Sequence, residues 1–132
     1  MKKSGILHPG LVKLIAETGH TEELVVTDAG LPIPEEVITR IDLGLKEGLI
    51  PFLDLLDEVL KEFSVEKIIL AEEIQVKSPE MEKEILKRFK DVEVAYLPHD
   101  VFKERTKKSR GLIRSGEFTP YANVILVGGV VY

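Results

Sequence analysis

The sequence contains no cysteine, so disulfides, thiolate metal sites and cysteine nucleophiles are excluded. It has no basic surplus either. Its 18 Lys and Arg face 23 Asp and Glu, for a formal net charge of −5. A chain of that balance has little with which to displace counterions from phosphates, which argues against a nucleic-acid partner. The one basic cluster, Lys103 to Arg110, is interrupted by Glu104 and by hydroxyl residues, and reads as a solvated helix end. No apolar run approaches the roughly 18 residues of a membrane span. The basic start Met1-Lys2-Lys3-Ser4 is followed by too short an apolar stretch before His8 and Pro9 to resemble a signal peptide. No membrane insertion is expected, and the expected location is cytoplasmic. Internal repeats, low-complexity tracts and domain linkers are also lacking.

What is present fits one domain over residues 1–132, with 44% hydrophobic and 31% charged residues, ordinary values for a soluble globular protein. Leu11, Val12, Leu14, Ile15 and Ala16 recur at near-helical spacing after Pro9, predicting a helix over 9–18 with Gly19 as a left-handed stop. Leu24 to Thr27 reads as a short buried strand, and Pro32 and Pro34 stiffen the turn after it. A helix starting at Glu35 and an alternating strand over Ile41 to Lys46 are expected next. Phe52 to Phe63 is amphipathic and begins after Pro51, so it predicts a helix. Further strands are predicted at Lys67–Ala71, Val92–Leu97, Gly111–Arg114 and Asn123–Val127. Helices are predicted from Ser78 to about Phe89 and from Val101 to about Lys107. This alternation gives an α/β fold, a three-layer α/β/α arrangement with a mostly parallel central sheet.

The segment Gly19 to Pro34 joins an imidazole, a buried strand, an acid at the strand's end and a doubly proline-stiffened turn. Loops at the carboxyl ends of parallel strands are where α/β proteins gather ligands. Asp28 is open to two readings, a turn-forming carboxylate or an acceptor for ligand hydroxyls. His20, directly after the first helix, is open to capping, surface hydrogen bonding or proton transfer. His99 follows a strand at its carboxyl end, where structural and ligand-facing roles weigh equally. His8, beside Pro9, reads as a helix-capping neighbour. Tyr121-Ala122-Asn123 offers a phenol, a backbone edge and an amide that both donates and accepts, or simply a strand-entry turn. An Arg114–Glu117 pair would brace the adjoining loop. Gly128-Gly129 is no phosphate loop, since no strand–loop–helix with lysine surrounds it. The residues alone lead to a polar, histidine-containing pocket in an α/β domain.

Three blocks together carry a resemblance. They are Gly19-His20-Thr21 through Asp28-Ala29-Gly30-Leu31-Pro32-Ile33-Pro34, then Arg40-Ile41-Asp42-Leu43, and Ile113 through Leu126 with Gly116-Glu117-Phe118-Thr119-Pro120-Tyr121-Ala122-Asn123 at its centre. They resemble the D-ribose pyranase family, which includes the related fucose mutarotases, and the similarity runs essentially end to end. The resemblance implies interconversion of β-pyranose and β-furanose forms of D-ribose, without cofactor or metal. It assigns His20 as the acid/base and Asp28, His99, Tyr121, Ala122 and Asn123 as substrate-binding positions. It also implies a homo-oligomer, a decamer or octamer, with sites near subunit boundaries. His8 and Tyr132 depart from the Asn and Phe usual at those positions. Two alternatives stand beside this reading, a fucose-type exchange of anomers and a non-catalytic sugar-binding protein of ribose uptake. The chemistry suits the residues, because ring opening needs one proton removed and one delivered. An ordinary imidazole with a pKa of about 6.5 can do either near neutral pH.

Overall fold

The computed structural model describes residues 1–132. In chain order the elements are α1 (Pro9–Glu17), β1 (Glu23–Thr27), β2 (Thr39–Asp42), α2 (Phe52–Leu60), β3 (Val65–Ala71), α3 (Ile74–Lys77), α4 (Pro79–Leu86), β4 (Glu93–Leu97), α5 (His99–Thr106), β5 (Gly111–Arg114) and β6 (Val124–Gly128). The strands form one sheet in the order β2-β5-β1-β6-β3-β4. Its β2–β5, β5–β1 and β3–β4 pairs are parallel, and β6 runs antiparallel to both β1 and β3. The expected three-layer, mostly parallel arrangement is thus found, with one strand reversed. No helix is long and apolar enough to cross a membrane.

Side chains alternate across a strand, and both faces of this sheet are covered. Leu24 and Val26 of β1, Ile68 and Leu70 of β3 and Leu126 of β6 pack with Leu11, Leu14, Leu56, Val59, Ile74 and Ile85 from α1 to α4. On the other face Val25, Ile69, Leu112 and Ile125 meet Phe102 of α5 together with Leu31 and Val37 of the turn after β1. Double coverage is why the central strands read as continuous apolar runs rather than alternating ones. The helix α1 lies close against β5. A Cβ added at Gly111 would stand 2.4 Å and 2.6 Å from the two Leu14 methyl carbons.

Several local expectations need correction. Gly19 is not a left-handed stop. Thr18 ends α1 in an extended conformation, its hydroxyl donating to the Leu14 carbonyl at 2.7 Å, and the left-handed residue is Thr21, at φ 67°. His8 does cap α1, its Nδ1 accepting from the Leu11 N–H at 3.1 Å. No helix follows Pro34; residues 35–38 form a turn that buries Val37. The next strand is Thr39–Asp42 rather than Ile41 to Lys46, because pairing with Gly111–Arg114 sets its register. The four-residue helix α3 is an addition to the predicted elements. Ser78 does not cap α4 through its side chain but donates to the Pro120 carbonyl at 2.6 Å, and α4 ends at Leu86. The helix α5 begins two residues earlier than expected, so His99 is its first residue.

Candidate active site

The antiparallel β6 determines the geometry of the site. Its neighbours β1 and β3, and β4 on the far side of β3, deliver their carboxyl ends to one edge of the sheet, and β6 begins there. Tyr121-Ala122-Asn123, just before β6, therefore sits beside Asp28, just after β1. The Asn123 side chain is fully buried and bonds Asp28 twice. Its Oδ1 accepts the Asp28 N–H at 2.9 Å, and its Nδ2 donates to Asp28 Oδ2 at 3.2 Å. The other carboxylate oxygen of Asp28 accepts from the N–H groups of Gly30 and Leu31, both at 2.9 Å. The turn-forming reading of Asp28 is correct, and Oδ2 still keeps acceptor capacity beyond the Asn123 bond.

His99 arrives from β4 by way of Pro98. Its backbone N–H, which has no acceptor within α5, donates to the Glu73 carboxylate at 3.0 and 3.1 Å. The ring meets the Tyr121 ring edge-on with centroids 5.0 Å apart, and stacks at 6.4 Å on the buried Phe102. The Nδ1 atom is buried without a hydrogen-bond partner. An orphaned lone pair costs less than an orphaned N–H, so the neutral ring carries its proton on Nε2. Tyr121 holds a left-handed φ of 62°, a conformation that costs about 1–3 kcal/mol for a non-glycine residue and clusters at binding sites. Ala122 is completely buried, its N–H donating to the Thr119 carbonyl at 3.4 Å.

Asp28, Gly30, Leu31, Pro32, His99, Lys103, Pro120 and Tyr121 line one open pocket of about 390 Å³. A contiguous hollow of about 370 Å³ shares Asp28, Gly30 and Pro120 and adds Glu117, Phe118 and Thr119. A larger hollow of about 800 Å³ lies between the N-terminal segment and α2. It holds none of the residues singled out for sugar binding, so the chemistry points to the smaller one. Sequence reasoning misses Lys103, because the cluster that contains it reads as a solvated helix end. It is half-buried at the pocket and 3.2 Å from Asp100. Glu73 was missed as well, and only tertiary structure could reveal either residue. The expected Arg114–Glu117 brace does not form. Arg114 bonds the Asp42 carboxylate and holds its pKa below the usual range, while Glu117 accepts from the Thr119 hydroxyl at 2.9 Å and the Phe52 N–H at 3.3 Å.

His20 is not in this pocket. It lies beyond the amino end of β1, and five strand residues at about 3.3 Å each put roughly 15 Å between it and Asp28. The ring is half exposed, and its Nε2 meets Glu66 Oε2 at 2.9 Å. Within one chain the structure thus brings together Asp28, His99, Tyr121 and Asn123 and leaves His20 at the opposite edge.

Residues 1–131 match the RbsD / FucU transport protein family. The chain belongs to that family. A D-ribose pyranase of Geobacillus thermodenitrificans is 50% identical over 130 residues, 98% of both chains. The solved structure of Bacillus subtilis RbsD complexed with D-ribose is 47% identical, superimposes with a TM-score of 0.95 and covers 100% of each chain. A fucose mutarotase from Streptococcus pneumoniae, solved in complex with L-fucose, is more distant. It is 27% identical with a TM-score of 0.76, covering 96% of this chain and 95% of its own. Within the RbsD / FucU family, the chain stands nearer to the ribose members.

Proposed function

We propose that this chain is a D-ribose pyranase, a cofactor-independent isomerase that exchanges β-D-ribopyranose and β-D-ribofuranose. The observation that carries the reading is the convergence of Asp28, His99 and Tyr121 on one open pocket, with the buried Asn123 amide bonded to Asp28 behind it, in a chain about half identical to D-ribose pyranases over its whole length. All 132 residues form one such domain, and the protein works in the cytoplasm. A sugar presents several hydroxyls that both donate and accept. Asp28 Oδ2 accepts one, and the His99 Nε2–H and the Tyr121 phenol supply donors. The edge-on aromatic contact between Tyr121 and His99 fixes both rings before the sugar arrives, which lowers the entropic cost of binding.

The reaction opens the ring and closes it elsewhere. A base takes the proton of the anomeric hydroxyl as the bond from the anomeric carbon to the ring oxygen breaks, and an acid protonates that oxygen. The resulting aldehyde recloses through a different hydroxyl to give the furanose. His20 is the acid/base, and positioned proton transfer of this kind contributes on the order of 10²–10⁴-fold. That suffices for a reaction that already proceeds unaided in water.

The separation of His20 from Asp28 supports a site shared between subunits. His20 and Asp28 lie at opposite edges of the same chain, so a contact that seats one subunit's His20 edge on the next subunit's Asp28 edge is head-to-tail, and such contacts form rings where the rotation closes. Both surfaces carry apolar groups with nothing covering them. At the His20 edge the tail residues Val131 and Tyr132 are 90% and 100% exposed, and at the Asp28 edge Phe118 is 63% exposed. The homo-oligomer is a decamer or octamer of such contacts. The test is NMR magnetisation transfer between ribose forms. Wild type accelerates pyranose–furanose exchange, and His20→Ala loses that acceleration while keeping its fold. Unchanged exchange in H20A would remove His20 from the mechanism. Faster exchange of fucose anomers than of ribose forms would favour the fucose branch.

A further inference from the structure

His20 is held by contacts that reach it from β3 and from the end of β6. The register between β3 and β6 shifts between Val65 and Lys67, which pair with Gly128 and Val127. Glu66 is therefore the extra residue of a β-bulge, a device that re-aims a side chain and recurs beside active sites. Here it directs the Glu66 carboxylate to His20 Nε2, at 2.9 Å. The neighbouring glycines make room for this. A Cβ at Gly128 would lie 2.6 Å from the Gly19 carbonyl oxygen, and one at Gly129 would lie 3.3 Å from the Glu66 backbone nitrogen and Cβ. The turn that carries His20 is pinned on both sides. The Gly19 N–H donates to the Glu22 carboxylate at 2.8 Å, and the Thr21 N–H donates to the Gly128 carbonyl at 2.9 Å. Thr21 itself takes the left-handed conformation, which places His20 at the head of a strained turn.

We infer that Glu66 is the positioning residue of His20. Its carboxylate accepts the Nε2–H bond, fixes the neutral ring in that tautomer and orientation, and leaves Nδ1 as the atom that exchanges a proton with the sugar. The inference rests on the reading of His20 as the acid/base. The bond alone would count for little at this surface, since the two side chains are 50% and 45% exposed and such pairs are weakened by solvent. Its role is geometric. A carboxylate that accepts from one imidazole nitrogen determines what the other can do, as in carboxylate–histidine pairs at metal and hydrolase sites. The bulge and the Gly128-Gly129 pair are there to bring that carboxylate within reach.

The test pairs Glu66→Ala and Glu66→Gln in the full-length protein with two measurements. Long-range 1H–15N spectra of 15N-histidine protein are expected to show wild-type His20 as one neutral tautomer, protonated and hydrogen-bonded at Nε2. In E66A that nitrogen moves to the position of an unbonded ring and the second tautomer appears. In exchange kinetics, kcat falls about 10- to 100-fold in E66A with KM unchanged, the usual cost of removing such an outer partner. E66Q, which keeps the shape and can still accept, loses less. An unaltered His20 spectrum in E66A, or an altered spectrum with unchanged kcat, overturns the inference. The parallel H20A measurement separates this from failure of the catalytic reading. If H20A exchanges ribose like wild type, His20 is not the acid/base, and the spectrum still decides whether Glu66 holds its ring.

Discussion

Asn123→Ala tests the internal joint of the site. The amide is fully buried and joins the loop before β6 to the end of β1 through two bonds to Asp28, of 2.9 and 3.2 Å. Truncation leaves the part-buried Asp28 N–H without its acceptor, a loss of about 1–3 kcal/mol. The carboxylate suffers less, because Asp28 reaches the pocket and water can replace the lost donor. The methyl that remains also leaves a small void, so the total comes to roughly 2–3 kcal/mol. That is well inside the 5–15 kcal/mol of an ordinary domain, so the variant still folds. For a chain of this size each 1 kcal/mol moves Tm by about 4 °C, predicting a fall of about 8–12 °C at fixed protein concentration. Calorimetry and ribose titration check it together, with ribose binding weakened as Asp28 loosens. An unchanged Tm with undiminished ribose binding would refute the claim that the Asn123 amide sets Asp28.

Other outcomes follow from particular contacts. The Tyr96 phenol is pushed up to about 12 by burial first and then by its 2.7 Å bond to Glu82, so ultraviolet titration should find one tyrosine ionising near that pH, and Glu82→Gln should lower it. Because the folded value lies above the ordinary 10.0, this group's stabilisation is complete below about pH 10 and is lost as pH rises towards 12. Gly111→Ala forces a Cβ against the Leu14 methyl carbons and should cost about 1–3 kcal/mol by overpacking, read as a lower Tm that Leu14→Val partly restores.

Much of the fold was legible because its strands are short apolar runs and its longer helices have clear faces. The strand β1, with burial on both sides, needs no partner to be recognised. What failed was the stretch from Glu35 to Lys46. Its local pattern allowed a helix and then a strand, and only the non-local ladder from Thr39 to Asp42 beside Gly111 to Arg114 fixes the outcome. The helix α3 has four residues, too few for a helical period to show. At the site, Asp28, His99 and the Tyr121–Asn123 turn could be named from their positions at strand ends. That they meet depends on the reversal of β6, which a strand pattern alone does not encode. The same reversal carries Gly128-Gly129 to the His20 edge, so a glycine pair without meaning as a phosphate motif gains one as room for the Glu66 bulge.

The shared site is tested most directly by mixing two variants. His20→Ala and Asp28→Asn are each expected to be inactive alone in ribose exchange. If a second copy supplies His20 to the pocket of Asp28, an equimolar reassembled mixture contains sites in which both neighbours contribute the intact residue. Random pairing across a head-to-tail contact makes these about a quarter of all sites, and the mixture should recover about that share of wild-type exchange. If both residues served the same chain's site, every site would still lack one of them, and a mixture as inactive as its components would contradict the account.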